Sequence, residues 1–217
     1  METKKTGFLS ETAYLEQERN AEVKSEYFAG ETFAMADASE RHNLLVANLI
    51  FQFKLAFQGG PCRAYPSDMR LKIEESGLYT YPDVMVLCGE TRFADGEGDT
   101  LLNPLLIAEA LSDSTERYDR GVRFGHYRKI PSLREYLLVF QNFPKIERYF
   151  RNTSGNWELR ETDDAHPALA LEAVDVSLPL DAVYDGIAFD PSPSGRRPSH
   201  ASAHVPNRPV SSRPVPR

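Results

Sequence analysis

The sequence YPDVMVLC at residues 81–88 and the sequence LLIAEAL at residues 105–111 decide the fold of this chain. Both runs are short, apolar and bounded by turn-forming residues, so each predicts a buried β-strand. Each strand carries one carboxylate, Asp83 at the start of the first and Glu109 near the end of the second. A carboxylate in an apolar strand is costly unless a positive charge neutralises it. If the two strands lie side by side, the acids meet, and a hard cation such as Mg²⁺ is a suitable partner.

Length and composition indicate one globular domain with some irregular sequence. The chain has 217 residues, of which 41% are hydrophobic and 26% charged, as in ordinary soluble proteins. No apolar stretch is long enough to span a membrane, and the first fifteen residues lack the apolar segment of a signal peptide. We therefore expect no membrane partner.

Charge divides the chain into a body and a tail. Residues 191–217 hold five arginines and no acid, so the other 190 residues carry 20 basic and 32 acidic side chains, a balance of −12. The tail is rich in proline and serine and offers little apolar surface, which predicts disorder after a domain that covers residues 1–190. An acidic body is a poor electrostatic match for nucleic acid, although a local basic patch remains an alternative.

The two cysteines, Cys62 and Cys88, lie far apart in the sequence and lack the spacing of a metal site. Both occur in apolar, strand-like surroundings. We predict that they are reduced core thiols, which favours a cytoplasmic location.

The remaining pattern predicts an α+β fold without regular βαβ alternation. A hairpin is expected at Ala29-Gly30, and Ser10 and Ser39 are expected to cap the first two helices. Predicted helices cover residues 11–19, 40–58, 119–130 and 180–187. Predicted strands, besides the two above, cover residues 62–65, 69–73, 134–140, 145–151, 156–161 and 174–178.

The predicted helix at residues 40–58 is apolar around most of its circumference. One face of a sheet cannot cover so much apolar surface, and an exposed patch of that size is unusual on a monomer. We therefore expect a homodimer.

Several motifs together resemble the Uma-type putative restriction endonucleases over about residues 10–187. They are EYFAGE at 26–31 with Met35, RHN at 41–43, YPD at 81–83, IAEALS at 107–112, ST at 114–115, DRG at 119–121 and PSLREY at 131–136. The resemblance implies a PD-(D/E)XK nuclease: a restriction-endonuclease-like, mixed central sheet flanked by helices, with the active site at one edge. It also implies a DNA substrate and Mg²⁺, with Mn²⁺ as a substitute.

The same resemblance assigns the site residues. Asp83 and Glu109 would be the two acids and, with the backbone carbonyl of Ala110, would hold the metal. The family often carries its catalytic lysine on the helix after the DRG run, and that position here is Arg123. Glu26 is a candidate outer acid, with a solvated strand face as the alternative. Arginine supplies charge and hydrogen bonds but stays protonated, so it cannot act as a general base.

Other residues and functions remain open at this point. His42, in the first helical turn, is expected at the surface or in a capping role, and Tyr127 is expected to pack on the sheet. Lys129 lies too far along the helix to replace the missing lysine easily. The alternatives to a DNA endonuclease are a catalytically weak or inactive nuclease-like fold that binds nucleic acid or protein, and an assembly scaffold.

Overall fold

A six-stranded mixed sheet forms the centre of the computed structural model, which describes residues 8–35, 37–112, 115–162 and 167–189. Its strand order is β11-β10-β9-β8-β6-β3, and a second sheet has the order β2-β1-β5-β4-β7. The strands are β1 Ser25–Phe28, β2 Glu31–Ala34, β3 Cys62–Pro66, β4 Arg70–Ile73, β5 Leu78–Thr80, β6 Val84–Cys88, β7 Thr100–Leu101, β8 Leu106–Leu111, β9 Glu135–Phe140, β10 Ile146–Arg151, β11 Trp157–Glu161, β12 Ala168–Leu171 and β13 Val176–Pro179.

The helices are short except for the second. They are α1 Glu11–Glu18, α2 Glu40–Ala56, α3 Glu116–Tyr118, α4 Phe124–Tyr127 and α5 Leu180–Val183, and a π-helical segment, Asp119–Arg123, joins α3 to α4. Ser10 and Ser39 accept hydrogen bonds from the first turns of α1 and α2, as predicted. The predicted hairpin is also present, and Ala29 and Gly30 at its tip both have positive φ.

The two faces of the central sheet belong to different parts of the core. Because side chains alternate along a strand, the even-numbered residues of β6 and β8 pack with α2 residues Leu45, Leu49 and Phe53. The odd-numbered apolar residues pack with α4 and with β4, β5 and β7 of the second sheet. Glu109 is odd-numbered, so its side chain points toward α4.

The mixed α+β architecture predicted from the sequence is confirmed. In the central sheet β6 pairs with β8 antiparallel, whereas β8 pairs with β9 parallel. Strands β5, β7 and β12 were not predicted; they have only two to four residues each, too few to show a periodicity. The predicted tail at residues 191–217 lies outside the described residues.

The prediction that the cysteines are reduced is wrong. A disulfide joins Cys62 to Cys88, with their Cα atoms 4.0 Å apart. The cause is the pairing of β3 with β6, which places these residues directly opposite each other. A cytoplasmic location thus loses the support of reduced thiols and stays a prediction.

The outer face of α2 is exposed to solvent. Leu44, Phe51 and Leu55 have exposed fractions of 38%, 63% and 58%, and their successive spacings of seven and four residues place them along one stripe of the helix. Within the described ranges no helix is long and apolar enough to cross a membrane.

Candidate active site

Asp83 and Glu109 converge, because Asp83 immediately precedes β6 and β6 pairs with β8 in the register Val84↔Ala108. The backbone N–H of Asp83 donates to Glu109 Oε2 at 3.1 Å. In return, the backbone N–H of Ala110 donates to Asp83 Oδ2 at 2.8 Å. The structure therefore places both acids and the Ala110 peptide group at one point, where β6 begins and β8 nears its end.

Arg123 is the cation of this site. It ends the π-helical segment, and its guanidinium contacts three carboxylates: Nη2 lies 2.7 Å from Glu26 Oε1, and Nη1 lies 3.1 Å from Asp119 Oδ1 and 3.4 Å from Glu109 Oε1. The guanidinium also lies over the Tyr118 ring, 4.9 Å from its centroid. Its Nε–H, in contrast, is buried and has no hydrogen-bond partner among the described residues.

Glu26 joins the site from the second sheet. It lies on β1, where it accepts hydrogen bonds from Arg123 and from the hydroxyl of Thr80. Glu26 is buried. The alternative, that it lies on a solvated strand face, therefore does not hold. The structure thus brings together all the residues predicted from the sequence: Glu26, Asp83, Glu109, Ala110 and Arg123.

Burial controls the electrostatics of the acids. Glu109 is 2% exposed, and burial raises its pKa well above the ordinary value; Arg123 opposes this rise, whereas the negative charge of Asp83 adds to it. Burial likewise raises the pKa of Asp119, again against the effect of Arg123. Burial alone would lower the pKa of Arg123, but the surrounding carboxylates raise it, so the guanidinium stays charged.

His42 also belongs to the site, contrary to the surface or capping role expected for it. Its Nε2 lies 3.0 Å from Asp83 Oδ1, and its Nδ1 lies 3.3 Å from Nε2 of Gln141. Burial lowers the pKa of His42, but the hydrogen bond and charge of Asp83 outweigh that effect and raise it. The sequence pattern of α2 could not predict this contact, because Asp83 lies 41 residues after His42.

Gln141 and Tyr127 also make contacts at the site that were not predicted. Gln141 follows β9 and donates through Nε2 to the Ala110 carbonyl at 3.2 Å. Tyr127 packs in the core as expected, and its hydroxyl also donates to Glu109 Oε1 at 2.7 Å. Lys129 instead lies 3.6 Å from Glu75, so it does not replace Arg123 in the site.

The donor chemistry of the site fits a hard cation. Asp83, Glu109 and the Ala110 carbonyl present oxygen atoms, the ligands that Mg²⁺ takes in proteins. Glu109 Oε2, both oxygens of Asp83 and the Ala110 oxygen each accept one hydrogen bond, and each has more than one lone pair, so that bond does not exhaust it. Within the part of the chain that the structure describes, no group of three or more His, Cys, Asp or Glu side chains is placed to hold a metal. A metal site here therefore depends on two carboxylates and one backbone carbonyl.

Comparisons with known proteins find similar sequences over most of the chain. The family model described as "Uma2: Putative restriction endonuclease" matches residues 12–181. Two similar proteins come from Synechocystis sp.: the uncharacterized protein sll1609 is 42% identical over 72% of this chain and 88% of its own length. The uncharacterized protein slr1290 is 35% identical over 83% of this chain and 94% of its own length.

The fold is also similar to a solved structure, that of a putative nuclease belonging to DUF820 from Anabaena variabilis. The TM-score is 0.64, and the match covers 80% of this chain and 96% of that chain at 15% sequence identity. At this identity the similarity shows the fold.

Proposed function

Because the chain belongs to the Uma2 family, described as putative restriction endonucleases, we propose that it is a metal-dependent endonuclease that hydrolyses DNA phosphodiester bonds. One observation carries this proposal. Two carboxylates from adjacent strands, Asp83 and Glu109, meet beside a buried guanidinium, that of Arg123. Acids that hold a cation, next to a group that attracts an anion, are what phosphoryl chemistry requires.

Asp83, Glu109 and the Ala110 carbonyl are the residues that would hold Mg²⁺, or Mn²⁺ in its place. When bound, such an ion lowers the pKa of a water molecule and offsets negative charge on a phosphate. The raised pKa of Glu109 reflects burial beside the negative Asp83. A divalent cation would relieve that repulsion and hold both side chains in their ionised form.

Arg123 would contact the phosphate. Three carboxylates hold its terminal nitrogens, whereas its buried Nε–H has no partner among the described residues. A phosphate oxygen would reach this buried atom only after a local shift of the side chain, and it would then satisfy an otherwise costly unpaired donor. Since arginine stays protonated, Arg123 would offset charge on the phosphate and would not accept a proton.

A second candidate function is a nuclease-like module that binds nucleic acid or protein without cleaving it. The observation in its favour is the arginine itself. Three carboxylates already surround its guanidinium, and Lys129, in the turn after α4, contacts Glu75.

A cleavage assay separates the two functions. Plasmid DNA and single-stranded DNA are incubated with the protein and Mg²⁺ or Mn²⁺, beside Asp83→Ala and the control Asp68→Ala, whose side chain is 85% exposed. The endonuclease proposal expects cleavage by the native protein and by the control, and none by Asp83→Ala. We expect Arg123→Lys to retain or increase cleavage and Arg123→Ala to lose about a hundredfold, as on removal of one charge-stabilising donor. DNA binding without cleavage by any Arg123 variant would favour the binding module.

We also propose that the protein pairs with a second copy through the outer face of α2. Phe51 and Leu55 are more than half exposed there, and a self-complementary apolar face is the usual basis of a two-fold dimer. The apolar stripe is thus the feature that supports a dimer.

A further inference from the structure

We propose that His42 and Gln141 are positioning residues that fix the orientation of the Asp83 carboxylate and of the Ala110 carbonyl. The inference rests on the proposed function, because it concerns the atoms that would hold the metal. It goes beyond that function, because it assigns roles to two side chains that reach the acids from α2 and from the end of β9.

Four hydrogen bonds join these residues in a closed ring. His42 Nε2 lies 3.0 Å from Asp83 Oδ1, and Asp83 Oδ2 accepts from the Ala110 N–H at 2.8 Å. The Ala110 carbonyl accepts from Gln141 Nε2 at 3.2 Å, and the same nitrogen lies 3.3 Å from His42 Nδ1. Both oxygens of Asp83 and both polar groups of the Ala110 backbone are therefore held.

Ser39, the cap of α2, sets the direction of this ring. Its hydroxyl donates to Gln141 Oε1 at 3.0 Å and accepts from the backbone N–H of His42 at 3.1 Å. Because Oε1 is engaged by Ser39, the amide NH₂ of Gln141 must face both the Ala110 carbonyl and His42 Nδ1. In the neutral imidazole, the nitrogen that faces this donor is the acceptor, so the hydrogen lies on Nε2 and is donated to Asp83.

The ring is compatible with a bound cation. A carbonyl oxygen has two lone pairs, so the hydrogen bond from Gln141 leaves the Ala110 oxygen one lone pair with which it would bind a metal. Residues that hydrogen-bond to metal ligands orient those ligands. Loss of such a residue typically weakens metal affinity by about 10–100-fold. His42 and Gln141 would act in this way through Asp83 and Ala110.

The test measures Mn²⁺ binding by titration calorimetry and amide hydrogen exchange of the metal-free protein by NMR. The variants are His42→Leu, Gln141→Met, the two combined, and His42→Gln, which keeps an N–H donor for Asp83. The control is Asn48→Met: Asn48 lies on the same helix and donates to the carbonyls of Val183 and Asp185 at 2.9 Å each, away from the acids.

We expect His42→Leu and Gln141→Met each to raise the Kd for Mn²⁺ by about 10–100-fold. The double variant should bind Mn²⁺ no more weakly than the single variant with the higher Kd, because both side chains belong to one ring of hydrogen bonds. His42→Gln should recover most of the affinity, and Asn48→Met should bind Mn²⁺ as the native protein does even if it melts earlier. Single effects that simply add would contradict the ring.

Amide exchange tests the ring without any metal. The Ala110 N–H is held by Asp83, so His42→Leu and Gln141→Met should speed its exchange roughly tenfold or more relative to Asn48→Met. If the native protein binds no Mn²⁺, the metal-dependent function fails, and Ala110 exchange alone then decides the positioning proposal. Unchanged exchange at Ala110 in both variants would overturn it.

Discussion

Replacement of Arg123 by methionine removes the positive charge around which three acids gather, while it keeps most of the side-chain volume. The side-chain exposures of Glu26, Glu109 and Asp119 are 11%, 3% and 2%. Without the guanidinium, these acids would have no nearby arginine or lysine partner among the described residues. The native protein avoids the cost of burying unpaired carboxylates, because one planar cation reaches all three acids.

The expected loss is large. Removal of one partner from a buried ion pair costs about 3–5 kcal/mol, because the other charge stays buried. For a domain of this size, that loss corresponds to a fall in Tm of about 6–20 °C. Arg123→Lys keeps the charge but not the planar fork, so its loss should be much smaller.

The stability lost in Arg123→Met should also depend on pH, and the pKa of Glu109 determines whether the loss grows or shrinks as the pH rises. Burial raises this pKa and Arg123 opposes the rise, so the loss of Arg123 raises it further in the folded state. A carboxyl group whose pKa is raised in the folded state contributes stability at a pH below its pKa in the unfolded state. This contribution is lost as the pH rises through its pKa in the folded state. The stability of Arg123→Met should therefore be closest to that of the native protein below pH 4.5, the ordinary pKa of a glutamate, and furthest from it at high pH.

The assay is thermal unfolding of the metal-free protein, followed by circular dichroism across that pH range. The control is Arg117→Met, in which an exposed arginine six residues earlier is replaced. Mg²⁺ should raise the Tm of the native protein by mass action, and Asp83→Ala and Glu109→Ala should abolish that rise. If Arg123→Met melted as high as Arg117→Met at high pH, the three carboxylates would not depend on the guanidinium, and the electrostatic account of the site would be wrong.

Four further predictions concern the rest of the molecule. Deletion of residues 191–217 should leave the Tm nearly unchanged, because the tail offers little apolar area to bury; a fall of several degrees in calorimetry would show that the tail docks. Phe51→Asp should convert a dimer to a monomer in sedimentation at micromolar concentration, and a monomeric native protein would remove the dimer proposal. Replacement of Cys62 and Cys88 by serine should lower the free energy of unfolding by about 3.5 kcal/mol, the entropic effect of closing a loop of this length; denaturant titration measures it, and an unchanged midpoint would contradict it. Glu109→Gln should flatten the fall in stability of the metal-free protein as pH rises above 4.5, because the group whose pKa burial raises is then absent; an unchanged pH profile would exclude Glu109 as its source.

The sequence was sufficient to predict the part of the site that lies on the sheet. Asp83 and Glu109 each interrupt an apolar run, and such a carboxylate needs a partner wherever the strand lies. Two strands of this kind become neighbours once they pair, as β6 and β8 do. Arg123 and Glu26 required the motif resemblance, because neither interrupts an apolar run.

His42, Gln141 and the disulfide could not be predicted in this way, because each depends on register and packing between distant segments. A polar residue in the first turn of a helix, such as His42, has the same local pattern whether it faces solvent or an acid. Gln141 stands just after a strand, where a turn residue is expected. Cys62 and Cys88 become partners only when β3 and β6 pair in one register, and a shift by one residue would separate them.

Three carboxylates, Glu26, Glu109 and Asp119, contact one arginine, and a fourth, Asp83, lies next to Glu109. This excess of acids connects the stability of the protein to its chemistry. A lysine ammonium is a compact charge, whereas a guanidinium spreads its donors over a plane. Arg123 uses this plane to reach acids on β1, on β8 and on its own helix. The position that family resemblance assigns to a catalytic lysine thus also holds two sheets and a helix together. Asp83, in contrast, takes its side-chain contacts from His42 and the Ala110 N–H. A divalent cation between Asp83 and Glu109 would therefore offset charge on the acid of this group that Arg123 does not contact.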